Sequence, residues 1–198
     1  MTDTIDERTP RRVRADAQRN IDSLLESAKA VFATSGVDAP AKEITDRAGV
    51  GVGTLYRHFP QRADLVAAVF QREVDECAAA GLQLSAAYEP AEALAKWLER
   101  YTDFLAAKRG LASALHSGDP TFDSLPRYFS QHLEPALESL LDAATANGDI
   151  RTDIGAEYLL HAVANLCMSA GDAGPEYSKR MVALLVDGLR YGAHRATV

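Results

Sequence analysis

Sixteen residues, Ile44-Thr45-Asp46-Arg47-Ala48-Gly49-Val50-Gly51-Val52-Gly53-Thr54-Leu55-Tyr56-Arg57-His58-Phe59, constrain the fold more than any other part of the chain. They read as two short helices joined by a tight glycine turn. Ile44 and Ala48 are four apart and face one way, where Val50, Leu55 and Phe59 can pack against them. Gly49 suits the left-handed residue that stops the first helix, because it has no Cβ to clash. The second helix has a nearly bare leading edge and ends in a polar, aromatic and basic cluster. This is helix-turn-helix geometry.

Every other segment with a period shows the helical one. Ile21, Leu24, Leu25, Ala28, Val31 and Phe32 follow i, i+3, i+4 spacing, which predicts an amphipathic helix over about 16–35. Pro60 closes the helix-turn-helix, and a long helix is expected over about 62–87, with Gly81 loosening its second half. Glu89-Pro90 marks a break. Further helices are expected over about 91–107, 110–117, 126–146 (bent at Pro135), 153–170 and 175–194. No alternating pattern of useful length suggests a strand. The expected class is all-α with about nine helices. A basic arm would occupy 1–15, a three-helix domain 16–61 and a helical body 62–198, with 62–87 as the connecting helix.

Charge is divided unevenly between these parts. The net charge is −7, yet residues 8–62 carry ten Lys and Arg against six Asp and Glu, while residues 63–198 carry eleven against nineteen. A basic head on an acidic body is the asymmetry expected when one end meets phosphates. No apolar run approaches the roughly 18 residues of a membrane span. The polar, acidic start of the chain argues against export, so a cytoplasmic location is expected. Cys77 and Cys167 read as small buried hydrophobes in a reducing compartment.

Several chemistries are absent from the pattern. Gly49-x-Gly51-x-Gly53 lacks both a preceding strand and a following Gly-Lys-Ser/Thr, so it is no phosphate cradle. There is no nucleophile elbow, His-Glu-x-x-His or Glu-x-x-His signature, and the five histidines lack ligand spacing. Neither an enzyme nor a metal or other cofactor is expected.

The stretch 14–70 resembles the TetR family of bacterial transcriptional regulators. The resemblance rests on Ile21, Phe32, Gly36, Ile44, Ala48-Gly49-Val50, Thr54-Leu55-Tyr56-Arg57-His58-Phe59, and the step from Arg62 to Leu65. It implies a three-helix DNA-binding domain followed by a helical ligand-binding and dimerisation domain. In this family Thr54, Tyr56, His58 and Arg62 correspond to positions that commonly bind phosphates. Their hydroxyl, imidazole and guanidinium donors suit that role independently. Val52 could touch a thymine methyl, with Gly53 beside it, and Arg57 could take both acceptors of a guanine. Lys42 is a phosphate candidate. Arg11, Arg12 and Arg14 would form a flexible arm along the backbone or in the minor groove. The position before the recognition helix, often serine in the family, is Gly51, and Gly53 follows. Tolerated drift and close backbone approach to the groove both fit.

One helix-turn-helix reads few base pairs, so the expected partners are a palindromic operator and a second copy of the chain. Met181, Leu184, Leu185, Gly188 and Gly192 make one apolar stripe, and Leu159, Ala162 and Leu166 make another one helix earlier. Both suit a four-helix interface. An unidentified small-molecule effector would be lined by Trp97, Tyr101, Phe104, His116, Phe129, His132, His161, Asn165 and Met168. His161 and Asn165, one turn apart, could instead pair across a dimer. The expected function is a homodimeric repressor released by that effector. An activator or a ligand-blind regulator fits the same residues, and a helical adaptor without DNA binding fits them less well.

Overall fold

The computed structural model describes residues 8–109, 111–168 and 174–191, all of them helix, turn or loop. Among the described residues nine α-helices run in order: α1 Arg8–Ser35, α2 Ala41–Ala48, α3 Val52–His58, α4 Arg62–Ala87, α5 Pro90–Arg109, α6 Ala112–Leu115, α7 Leu125–Ala146, α8 Ala156–Met168 and α9 Gly174–Tyr191, with a 3₁₀ turn at Pro120–Phe122. The expected all-α class therefore holds across the described residues. They divide into two compact units. The first takes the described residues through Val69 and the segment from Leu111 to Phe122; the second takes Phe70–Arg109 and the described residues from Asp123 onward.

In the first unit the apolar stripe of α1 makes the core. Leu24, Ala28, Val31 and Phe32 are buried with Ile44, Leu55, Leu65 and Val66. The α1–α2 connection is pinned by Ser35 Oγ donating to Glu43 Oε1 at 2.9 Å. Gly49 stops α2 with φ at +69°. Its N–H reaches Asp46 O at 3.4 Å and the Val50 N–H reaches Thr45 O at 3.1 Å. That reversal sets the direction in which α3 leaves.

In the second unit α5 is the central helix and packs against α7, α8 and α9. Ala93, Leu94, Trp97, Leu98, Tyr101, Phe104 and Leu105 on α5 are all buried. Trp97 satisfies its indole N–H on Cys77 O at 2.9 Å, as a buried Trp must. Gly81 does not interrupt α4. A Cβ there would make ordinary contact, 3.6 Å from Trp97 Nε1 and 3.7 Å from Ala136 Cβ. Helix α7 likewise runs on through Pro135. Cys77 and Cys167 are free and buried, and burial pushes the Cys77 thiol up to about 12.

Two boundaries differ from expectation. Helix α1 begins at Arg8 rather than near residue 16. The backbone of Arg11, Arg12 and Arg14 is therefore helical, which corrects the flexible arm. The added residues include four Arg and one Ala, which favour helix without needing an apolar stripe, and Pro10 sits in the first turn, where its missing N–H costs nothing. In addition, the start of α4 and the 111–122 segment group with the first unit rather than with the expected body.

Gly49 and Gly53 should respond to alanine with opposite signs. Gly49→Ala places a Cβ in the left-handed region and is expected to cost about 1–2 kcal/mol. Gly53→Ala lies in ordinary helix with nothing within 4 Å of its Cβ, and should add about 0.5–1 kcal/mol. Urea unfolding of the two variants checks this; a Gly49→Ala protein as stable as the parent contradicts it.

Candidate nucleic-acid interface

Helix α3 is seven residues long and has two unlike faces. Gly51 is its N-cap, with φ −75° and ψ 147°, and accepts from Thr54 N at 2.9 Å and Leu55 N at 3.4 Å. Leu55 is 3% exposed and Phe59 9%, so both anchor the inner face. On the outer face Val52 is 39% and Tyr56 52% exposed. Gly53 and Arg57 are also exposed, while Thr54 and His58 are half-buried. Spacing explains part of the sorting: Gly53 and Arg57 lie one turn apart on the side away from Leu55, whereas Val52, three residues before Leu55, shares its side and is open as the first residue of the helix. A Cβ at Gly51 or Gly53 would meet nothing within 4 Å. Packing inside the subunit thus does not require either glycine.

The surrounding cations differ in how far they are already engaged. Lys42 Nζ pairs with Asp46 Oδ2 at 2.5 Å, one turn along α2 and well exposed. An exposed pair of this kind is worth little, so a phosphate can take the lysine over. Arg62 at the start of α4 lies over the Phe32 ring, 5.5 Å from its centroid. Arg57 and Tyr56 have no ion pair or hydrogen bond to a described residue. The outer edge of α3 therefore offers apolar, phenolic hydroxyl and guanidinium groups, with the half-buried Thr54 hydroxyl and His58 imidazole as further donors. Such an edge can donate to phosphate oxygens and reach base edges in a groove.

The nine residues expected to line one effector pocket are not brought together. Trp97 and Tyr101 are fully buried and Phe104 is 1% exposed. They stack in series, with centroids 5.7 and 6.0 Å apart and planes inclined by 15° at each step, as plain core. The Tyr101 hydroxyl donates to Leu160 O at 3.4 Å, and burial raises its pKa. His116 is exposed and belongs to the other compact unit. His161, Asn165 and Met168 are exposed on α8. Helical spacing alone does not say which side of a helix the neighbours cover. Phe129 and His132 remain at a half-exposed edge of the aromatic cluster. Phe129 sits 6.0 Å from Phe104 and 6.1 Å from Tyr101. His132 stacks on Tyr128 at 4.0 Å, and the Tyr128 hydroxyl donates to Asp75 Oδ1 at 2.7 Å.

Sequence reasoning passed over Lys108, which stands one turn beyond Phe104 and lies 5.9 Å from the centroids of both Phe70 and Phe129. The available signal was an i, i+4 aromatic–cation pair on an otherwise apolar face.

The two late stripes do converge. A surface groove of about 510 Å³ is lined by Leu159, Ala162, Leu166, Met181, Leu184, Leu185 and Gly188, with Arg151, Ile154, Tyr158 and Leu189. Leu159 is buried at its floor, whereas Leu184 is 65% and Tyr158 75% exposed at its walls. Gly192 lies outside the described residues. Among the described residues there is no group of three metal-ligating side chains, and no helix is long and apolar enough to cross a membrane.

Comparison with known proteins agrees with this geometry. Residues 89–191 match the C-terminal domain of SbtR-like transcriptional regulators, and residues 24–69 match the bacterial regulatory proteins of the tetR family. The chain is 36% identical to the TetR transcriptional regulator SCO0520 of Streptomyces coelicolor, covering 86% of this chain and 98% of that one with a TM-score of 0.74. It is 34% identical to a TetR transcription regulatory protein of Mycobacterium vanbaalenii, over 90% and 99% of the two chains, with a TM-score of 0.70. The HTH-type transcriptional regulator SAR2658 of Staphylococcus aureus is 28% identical over 153 residues, 76% of this chain and 81% of its own. With its helix-turn-helix head, its helical body and these relatives, the chain belongs to the TetR family of DNA-binding transcriptional regulators.

Proposed function

We propose that the protein is a homodimeric repressor, acting in the cytoplasm, that holds a palindromic operator and lets go when a small molecule binds its body. The observation that carries the DNA half is the outer face of α3. Val52, Gly53, Tyr56 and Arg57 are exposed together, and among the described residues none pairs with Tyr56 or Arg57 or comes within 4 Å of a Cβ at Gly53. In this reading Val52 and Arg57 meet base edges. Thr54, Tyr56, His58, Lys42 and Arg62 meet phosphates, and Arg11, Arg12 and Arg14 extend α1 toward the backbone. Gly51 and Gly53 let the helix start approach closely.

The groove between α8 and α9 supports the dimer. Its walls are apolar and exposed, as suits a surface that a second copy covers. Two heads then sit in successive major grooves, about 34–36 Å apart. The effector acts at the half-exposed edge of the aromatic cluster, where Phe129 and His132 remain accessible. To move the population from 99:1 to 1:99 it must favour the released state by roughly 5.5 kcal/mol. Helix α4 is the natural lever, because it runs unbroken from residues of the first unit into those of the second.

Two measurements test this. On an operator selected from a random DNA pool, Arg57→Ala should cost about 1–3 kcal/mol and relax the preference at one base position in each half-site. Lys42→Ala should instead weaken all sequences alike and reduce the salt slope by about one. Unchanged preference in Arg57→Ala contradicts the assignment. Separately, Leu184→Glu buries a carboxylate in the proposed interface. It should give a folded monomer in sedimentation with strongly reduced operator affinity; a dimer of unchanged strength contradicts that interface.

A further inference from the structure

Lys108 stands out among the cations of α5. Lys96 faces Glu92 at 3.5 Å and Arg100 faces Glu76 at 3.5 Å. Lys108 has no ion pair or hydrogen bond to a described residue. Its ammonium lies over the rings of both Phe70 and Phe129, 5.9 Å from each centroid. Asp103 on the same helix pairs with Lys179 at 3.6 Å, and Asp75 accepts from the Tyr128 hydroxyl. Burial without a counter-charge holds the Lys108 ammonium below its usual range. Two ring faces offset part of that cost, but neither replaces the hydrogen bonds that water gave the ammonium.

The neighbourhood restricts what can complete this arrangement. Phe70, Phe104 and Phe129 form a continuous wall, with centroids 5.8 Å apart from 70 to 104 and 6.0 Å from 104 to 129. Phe129 is at the accessible edge of that wall. The visitor is thus asked for one anionic group and an apolar body. A strongly hydrated dianion such as phosphate would find a single donor and no further polar partner on the rings, whereas a carboxylate needs far less.

We propose that Lys108 is the anion anchor of the effector site, and that the ligand it receives is an apolar or aromatic carboxylate whose body lies against Phe129. This rests on the reading that the body binds an effector, and it names the chemical class. The competing explanation is local: Lys108 stands in the last turn of α5, where a cation suits the helix dipole. In that case it has no bearing on which molecules bind.

Calorimetric titration of the full chain separates these. The probes are decanoate against decanol, and 4-phenylbutyrate against 4-phenylbutanol. At least one carboxylate is expected to bind about tenfold or more tightly than its alcohol. Lys108→Met should abolish that preference while unfolding at a similar temperature to the parent, and Lys108→Arg should keep it. Binding of neither carboxylate, equal binding of acid and alcohol, or a preference that survives Lys108→Met overturns the proposal. Operator release is followed in the same solutions. Carboxylates that bind through Lys108 but leave the operator complex intact uphold the anchor and defeat the ligand-released repressor. Alcohols that release the operator while carboxylates fail to bind do the reverse.

Discussion

The burial of Leu55 and Phe59 is the interaction on which the head depends. A helix of seven residues has no independent stability in water, and α3 has neither a side-chain cap nor a favourable residue at Gly53. It exists because two side chains on one face are anchored in the core and because Gly49 turns the chain back on itself. That anchoring also decides the function. Whatever is not needed to hold the helix is turned outward, so Tyr56 and Arg57 are exposed as a consequence of where Leu55 must go, and Val52 is open at the start of the helix.

The body follows a different logic. Helix α5 is covered on several sides, and its aromatic residues fill space rather than frame it. Trp97, Tyr101 and Phe104 are each within 1% of full burial and stack in sequence. Polar side chains enter this apolar interior at Glu73, Thr102 and Ser178 as well as at the aromatic cluster. The Trp97 N–H and the Tyr101 hydroxyl are satisfied by backbone carbonyls, while Lys108 is left to the faces of two rings. The acidic excess beyond residue 62 meanwhile makes this larger part of the chain less attractive to phosphates than the basic head.

These two logics explain what could be read in the residues and what could not. The bounds of α2, α3 and α4 were legible because glycine, proline and the apolar stripe coincide there: Gly49, Pro60 and the 62–87 period each mark an end that the fold respects. The stripes of α8 and α9 were legible as a shared surface, since Leu184 and Gly188 repeat at helical spacing on a side their own subunit leaves open. The start of α1 was not, because Arg11, Arg12 and Arg14 support helix by backbone propensity, which leaves no periodic trace. Nor could spacing separate a packed Trp97 from a pocket-lining one, because both put an aromatic ring on the same face. That distinction depends on what other helices bring up against it. The grouping of 111–122 with the head is likewise a long-range matter, invisible in local pattern.

The central claim is that α3 lies in the major groove, presented twice. The most direct measurement ties an iron–EDTA cleavage reagent to the exposed loop just after this helix, through Gln61→Cys, and maps where it cuts a selected operator. The native thiols leave the reagent to the new site, since Cys77 and Cys167 are buried. The account predicts two clusters of cuts related by the operator's symmetry and about one helical turn, or 10 base pairs, apart. Cuts spread evenly along a fragment that the tethered protein still binds specifically, or a single cluster without a symmetric mate, would contradict it.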